Sequence, residues 1–165
     1  MTKIWDASPT DQELTTFVRY EAAILDEQRH DEWLGLFAPT GLYWMPSEPG
    51  QIDPALIGSL MYEDLFMLRV RVERLKSNRT FSQKPISRSH HLLQMPQVRK
   101  RSDEERSYAI WTPFQYCEVR KEEQNIYLGW VTHQLTVLEG ELKIALKRID
   151  LLNADAPHRS IQLFM

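Results

Sequence analysis

Between residues 87 and 153 the sequence alternates rather than winds. Four long runs, near 87–101, 106–120, 126–138 and 141–153, are rich in β-branched and aromatic residues, with short polar turns between them. Side chains on a strand point to alternate faces, so runs of this length demand a sheet with one face buried. Glu139-Gly140, between the last two runs, predicts a tight hairpin. In the last run Leu142, Ile144 and Leu146 alternate with Lys143, Ala145 and Lys147, and then Ile149 and Leu151 become the apolar set. A phase slip of that kind predicts a β-bulge, which bends a long sheet. The mixed-charge stretch "VRKRSDEERS" reads as the solvated end of a hairpin rather than as a binding patch.

The first half has a different period. Thr10 and Glu13 form a capping-box pair after Ser8-Pro9 and predict a helix to about Gln28. Leu14, Phe17, Val18, Ile24 and Leu25 fall on one stripe of it, and Glu21 lies in the middle of that apolar face. A second short helix is predicted with Asp31 as N-cap and Trp33, Leu34 and Phe37 turned inward. "GLYWM" (Gly41 to Met45) predicts a first strand, and Pro46, Pro49, Gly50 and Pro54 an irregular segment after it. A third helix is predicted from Glu63 to Lys76, with Leu65, Leu68, Val72 and Leu75 on one face. Helices followed by a meander of long strands imply an α+β fold with the helices on one face of a curved sheet. The 165 residues are expected to form a single domain, 1–165.

Several functions are excluded or disfavoured by counting. A net charge of -3, with acids mixed into the basic clusters, gives no reason to expect nucleic acid as a partner. The sequence has neither a signal-peptide core nor an apolar run of membrane-spanning length, so no membrane is expected and the location is expected to be cytoplasmic. The sequon Asn78-Arg79-Thr80 is taken as chance in that setting. Cys117 is the one cysteine, too few for a disulfide, a zinc–cysteine site or a Rieske centre, which needs two Cys and two His. The five histidines are His30, His90, His91, His133 and His158. The adjacent pair in "SRSHHLLQM" would point to opposite faces of a strand, so no metal site is expected. There is no Gly-x-Ser-x-Gly elbow and no phosphate-cradling glycine loop.

Four stretches, in order, carry a family resemblance. "YEAAILDEQRHDEWLGLFAPTGLYWMP" resembles the N-terminal signature of the small (beta) subunits of aromatic-ring-hydroxylating dioxygenases, "LMYEDLFMLRVRVERL" their central helix, "SRSHHLL" their Ser-Arg-x-x-His strand and "IALKRIDLLNAD" their last long strand. The resemblance implies a cystatin-like, nuclear transport factor 2-like cone, with N-terminal helices packed in the concave face of a bent, mainly antiparallel sheet. It also implies a small, mainly structural subunit that supports a large (alpha) subunit. The Rieske [2Fe-2S] cluster and mononuclear iron are expected in that partner, and none in this chain. Self-association is expected as a trimer within a three-plus-three hexamer.

Cone folds of this type often enclose a pocket between the first helix and the sheet. Tyr20, Glu21, Trp33, Tyr43, Arg88 and His91 are the candidates for a pocket lining or a buried polar cluster. Glu21 is expected to pair with a basic group on the sheet, since a lone buried carboxylate costs several kcal/mol. His91 is expected to face Glu21 and the helices, and His90 to face away. No residue is assigned a catalytic role. The alternative is a stand-alone isomerase or dehydratase using Glu21 and His91 as an acid–base pair. The apolar tail "SIQLFM" and Trp5 are expected either to dock on the body or to form subunit contacts.

Overall fold

The computed structural model describes residues 8–77, 86–158, 161 and 163–165. Trp5 and the sequon at 78–80 lie outside the described residues. Helix α1 spans Asp11–Asp26, and the capping box is present: the Thr10 hydroxyl accepts the Glu13 N–H, and the Glu13 carboxylate accepts the Thr10 N–H. Its inward stripe carries Leu14, Val18, Glu21, Ala22 and Leu25, so an acid does sit in the apolar face. Helix α2 (His30–Leu34) is only five residues, and its N-cap is Arg29 rather than Asp31. The Asp31 carboxylate instead meets Lys76 at 2.7 Å, on α3 (Leu65–Ser77).

The strands are β1 (Phe37–Pro46), β2 (Ser59–Asp64), β3 (Arg88–Leu93), β4 (Gln97–Ser102), β5 (Ser107–Arg120), β6 (Glu123–Leu138) and β7 (Glu141–Leu151). Strand β2 replaces the expected first turn of the third helix. Glu63 and Asp64 look like the acidic start of a helix, but they end the strand; the Asp64 carboxylate then accepts the Met67 N–H at 2.9 Å and caps α3. The expected first strand is longer than predicted, and Phe37 belongs to it rather than to α2.

The sheet runs β2-β1-β7-β6-β5-β3, with β4 also pairing β5. All ladders are antiparallel except β1 with β7. That parallel pair brings β1 beside β7, and Gly41 makes the approach feasible: a Cβ there would lie 2.6 Å from the Ile144 carbonyl oxygen. The β6–β7 turn has positive φ at both Glu139 (51°) and Gly140 (76°), the backbone of a two-residue type I′ hairpin.

The phase slip in β7 is a bulge. Leu135 of β6 faces Ile144 but Gln134 faces Leu146, which leaves Ala145 as the extra residue. Its effect on sidedness is large. Leu142 and Ile144 point inward before it, and Lys147, Ile149 and Leu151 point inward after it. Lys147, which alternates with Leu142 and Ile144 in the sequence, thereby lies on the same face as they do. Strand β6 alternates without interruption, which puts Val131, His133 and Leu135 on the inner face. Helix α1 and the inner face of the sheet thus share one hydrophobic cluster, in which Trp33, Tyr43, Ile110 and Phe164 are also buried.

Candidate functional site

At the centre of that cluster is a charged group. Glu21 reaches in from α1, and Lys147 and His133 reach up from the neighbouring strands β7 and β6. The Lys147 ammonium donates to Glu21 Oε1 at 2.5 Å, the Trp33 indole N–H donates to the same oxygen at 2.6 Å, and His133 Nε2 lies 3.1 Å from Oε2. Both members of the ion pair have side chains only 2% exposed. Burial by itself would raise the Glu21 pKa, but the Lys147 charge and the bonds from His133 and Lys147 outweigh it and hold the carboxyl well below its ordinary range. Burial pushes both His133 and Lys147 down from their ordinary values, against the pull of Glu21. With Glu21 ionised, His133 carries its proton on Nε2.

A second polar contact closes the far end of α1. Asp26 accepts the backbone N–H of His91 at 2.8 Å and the His91 ring at Nδ1 at 2.7 Å. Burial acts to raise the Asp26 pKa, and the bonds from His91 more than offset it, so the carboxyl stays low. His90 and His91 do face opposite ways: their side chains are 75% and 4% exposed. Yet His90 still brings Nδ1 to 3.5 Å from the other Asp26 oxygen, because Asp26 lies against the edge strand β3.

The six sequence candidates are thus divided. Glu21 and Trp33 are bonded, and Tyr43 packs edge-on against Trp33 with ring centroids 6.1 Å apart. His91 borders the same interior cavity as Glu21, but its partner is Asp26. Tyr20 turns outward and gives its hydroxyl to Glu32 on α2, clear of the cluster. Arg88 is exposed at the sheet edge, near Gln28 and Lys121. The sequence reading missed three members. His133 was accessible from the strict alternation of β6. Lys147 was hidden by the bulge, and Asp26 by the unknown docking of α1 on β3.

The cavity between these groups measures about 10 Å³ and is bordered by Glu21, His91, His133, Lys147, Phe114 and Met165, among others. Such a space admits about one water molecule. Among the described residues, no group of three or more His, Cys, Asp or Glu side chains could hold a metal ion. The residues present therefore do not fit the Rieske cluster or the mononuclear iron that the resemblance assigns to a partner.

The family model for the ring-hydroxylating beta subunit matches residues 20–157. The chain belongs to the ring-hydroxylating dioxygenase beta subunits. Over 159 residues this beta subunit is 28% identical to the small oxygenase component of the p-cumate 2,3-dioxygenase system of Pseudomonas putida, covering 94% of this chain and 87% of the relative. It is also 28% identical to the small subunit of 2-halobenzoate 1,2-dioxygenase from Burkholderia cepacia, covering 92% and 93%. Among solved structures, the beta subunit of benzoate 1,2-dioxygenase from Burkholderia mallei superposes with a TM-score of 0.72 at 22% identity, over 93% of this chain and 94% of that one. The fold is accordingly the α+β cone with helices in the concave face of its sheet. No helix among the described residues is long and apolar enough to cross a membrane.

The charged interior fixes a pH response for the beta subunit. Glu21 and Asp26 hold their carboxyls below the ordinary values of 4.5 and 3.8, so in acid the unfolded chain binds more protons than the folded one. Stability conferred by these groups is full above those values and is lost as pH falls through the carboxylate range. His133, held below 6.5, adds the same sign from a higher pH. The melting temperature is therefore expected to fall steadily from pH 7 to about pH 3. Glu21→Gln should flatten the part of that curve below about pH 4.5. An unchanged acid slope in the variant would contradict the assignment.

Proposed function

We propose that this beta subunit serves as the assembly-supporting partner of a large subunit that carries the Rieske [2Fe-2S] cluster and the mononuclear iron, in a cytoplasmic complex of three large and three small chains. The relatives are named as small components or beta subunits of dioxygenases acting on p-cumate and 2-halobenzoate. An aromatic or aromatic acid is accordingly the substrate class proposed for the complex.

The observation that carries the structural role for this chain is the state of Glu21. Both of its oxygens are engaged, by Lys147 and Trp33 on one side and His133 on the other. A carboxylate bound in this way is stabilised as the anion and is a poor proton acceptor. The cavity beside it is too small for an organic substrate. Both facts support a clasp between helix and sheet over the isomerase or dehydratase alternative with Glu21 and His91 as acid and base.

Co-expression with the large subunit tests the proposal, with iron analysis and oxygen uptake on a panel of aromatic acids and hydrocarbons. Iron and uptake are expected in the complex, and neither in the chain alone. Glu21→Gln should lower melting temperature or assembly yield while leaving turnover per assembled complex intact. Substrate turnover by the chain alone, or lost turnover in a stable, fully assembled Glu21→Gln complex, would overturn the structural role.

A further inference from the structure

The cone interior is filled by the chain's own last described residues. Leu163, Phe164 and Met165 are buried, yet they lie outside every strand and helix. Phe164 stacks on Trp33 with ring centroids 4.4 Å apart at 30°, and meets Tyr43 and His30 edge-on at 5.9 and 6.0 Å. Beyond it, Met165 borders the cavity that also touches Glu21, His91 and His133. The Tyr43 hydroxyl accepts the Met165 N–H at 3.1 Å and donates to the Met165 carbonyl at 3.3 Å. An aromatic ring in an aromatic slot, followed by an apolar group over a polar floor, has the form of a bound ligand.

The polar floor specifies what else such a ligand carries. The Asp26 carboxylate requires a proton on His91 Nδ1, and in the neutral ring this leaves Nε2 as the lone-pair nitrogen. That Nε2 is buried and, among the described residues, has no hydrogen-bond partner. The same holds for Nδ1 of His133, whose Nε2 is engaged by Glu21. Two imidazole acceptors therefore border one cavity without a donor. Glu21 and Lys147 neutralise each other, while the Asp26 carboxylate is taken up by the backbone and ring N–H groups of His91. A ligand that completes it offers an O–H and adds no second negative charge.

We propose that the cone interior is a masked binding site for a hydroxylated single-ring aromatic of the phenol type, with Phe164 and Met165 standing where the ligand would sit and His91 Nε2 accepting its hydroxyl hydrogen. The proposal rests on the interior geometry alone and is independent of the large subunit. The existing cavity, about 10 Å³, cannot take a ring, so binding requires the Phe164–Met165 segment to give way. That segment is held by side-chain stacking and by Tyr43 rather than by a sheet ladder, and it can leave without dismantling a strand.

Phenol and toluene, titrated into the full chain and followed by tryptophan fluorescence and histidine ring ¹⁵N shifts, test it. Phe164→Ala should bind phenol about tenfold more tightly than the unmodified chain. Adding His91→Asn, whose amide still donates to Asp26 but which lacks Nε2, should remove that gain for phenol and leave toluene unaffected. If Phe164→Ala does not fold, Phe164→Leu keeps most of the volume while breaking the stack, and a gain of about threefold is expected. Equal binding of phenol and toluene, insensitive to His91→Asn, would mean a plain apolar hole and overturn the proposal. Absence of phenol binding to the folded Phe164 variants would overturn it as well.

Discussion

Replacing Lys147 with methionine is expected to lower stability by about 3–5 kcal/mol, because it leaves the Glu21 carboxylate buried without its counter-charge. For a chain of this size that corresponds to a melting temperature lower by about 10 °C. Methionine fills nearly the same volume, so packing is not the source of the loss. The remaining bonds from Trp33 and His133 do not replace an ammonium at 2.5 Å. Combining Lys147→Met with Glu21→Gln should recover much of the loss, since a neutral amide can still accept the Trp33 N–H and no longer needs a cation. Thermal and urea denaturation of the two single variants and the double variant give the coupling directly. If the losses simply added, Glu21 and Lys147 would be acting independently and the clasp would not exist.

The second large effect is at Trp33. Its indole is fully buried, with Phe37 at 5.0 Å, Phe164 at 4.4 Å and Tyr43 at 6.1 Å between ring centroids. Trp33→Ala is expected to cost about 3–5 kcal/mol through the cavity it leaves. Trp33→Phe keeps an aromatic ring but removes the donor to Glu21, and should cost about 1–3 kcal/mol. Urea unfolding of both variants separates the two contributions. Equal losses would mean that the hydrogen bond, not the filled volume, dominates at this position. α2 is too short to hold itself, and Trp33 fastens it to α1 and the sheet beside the Tyr20–Glu32 bond.

These two residues differ in how far the sequence reveals them. Trp33 sits in a family-like stretch and points inward by helical spacing. Lys147 occurs in a run where apolar residues hold the even positions up to 146 and the odd positions from 149 onward. The slip is visible in that pattern, but its location is not: placed after Lys147 it leaves the lysine in solvent, and placed at Ala145 it buries it. Only the pairing with β6 decides between them. His133 needs no such information to be placed on the inner face, since β6 alternates cleanly, but a lone histidine gives no spacing that marks it as a partner of Glu21. Strand β2 was concealed for another reason. Its acidic end doubles as the cap of α3, and two elements share residues that local chemistry assigns to one. Asp26 could not be found from spacing at all, because its partners lie 65 residues away across a helix–edge contact.

The clasp also sets a schedule for synthesis. Glu21 waits for His133, 112 residues later, and for Lys147, 126 residues later, while Tyr43 waits 122 residues for Met165. β1 likewise finds its parallel neighbour only when β7 arrives. Contacts so distant along the chain make for slow closure and prolonged exposure of apolar surface. An emerging chain therefore holds α1, α2 and β1 with their inner faces uncovered until β7 and the segment after it have left the ribosome.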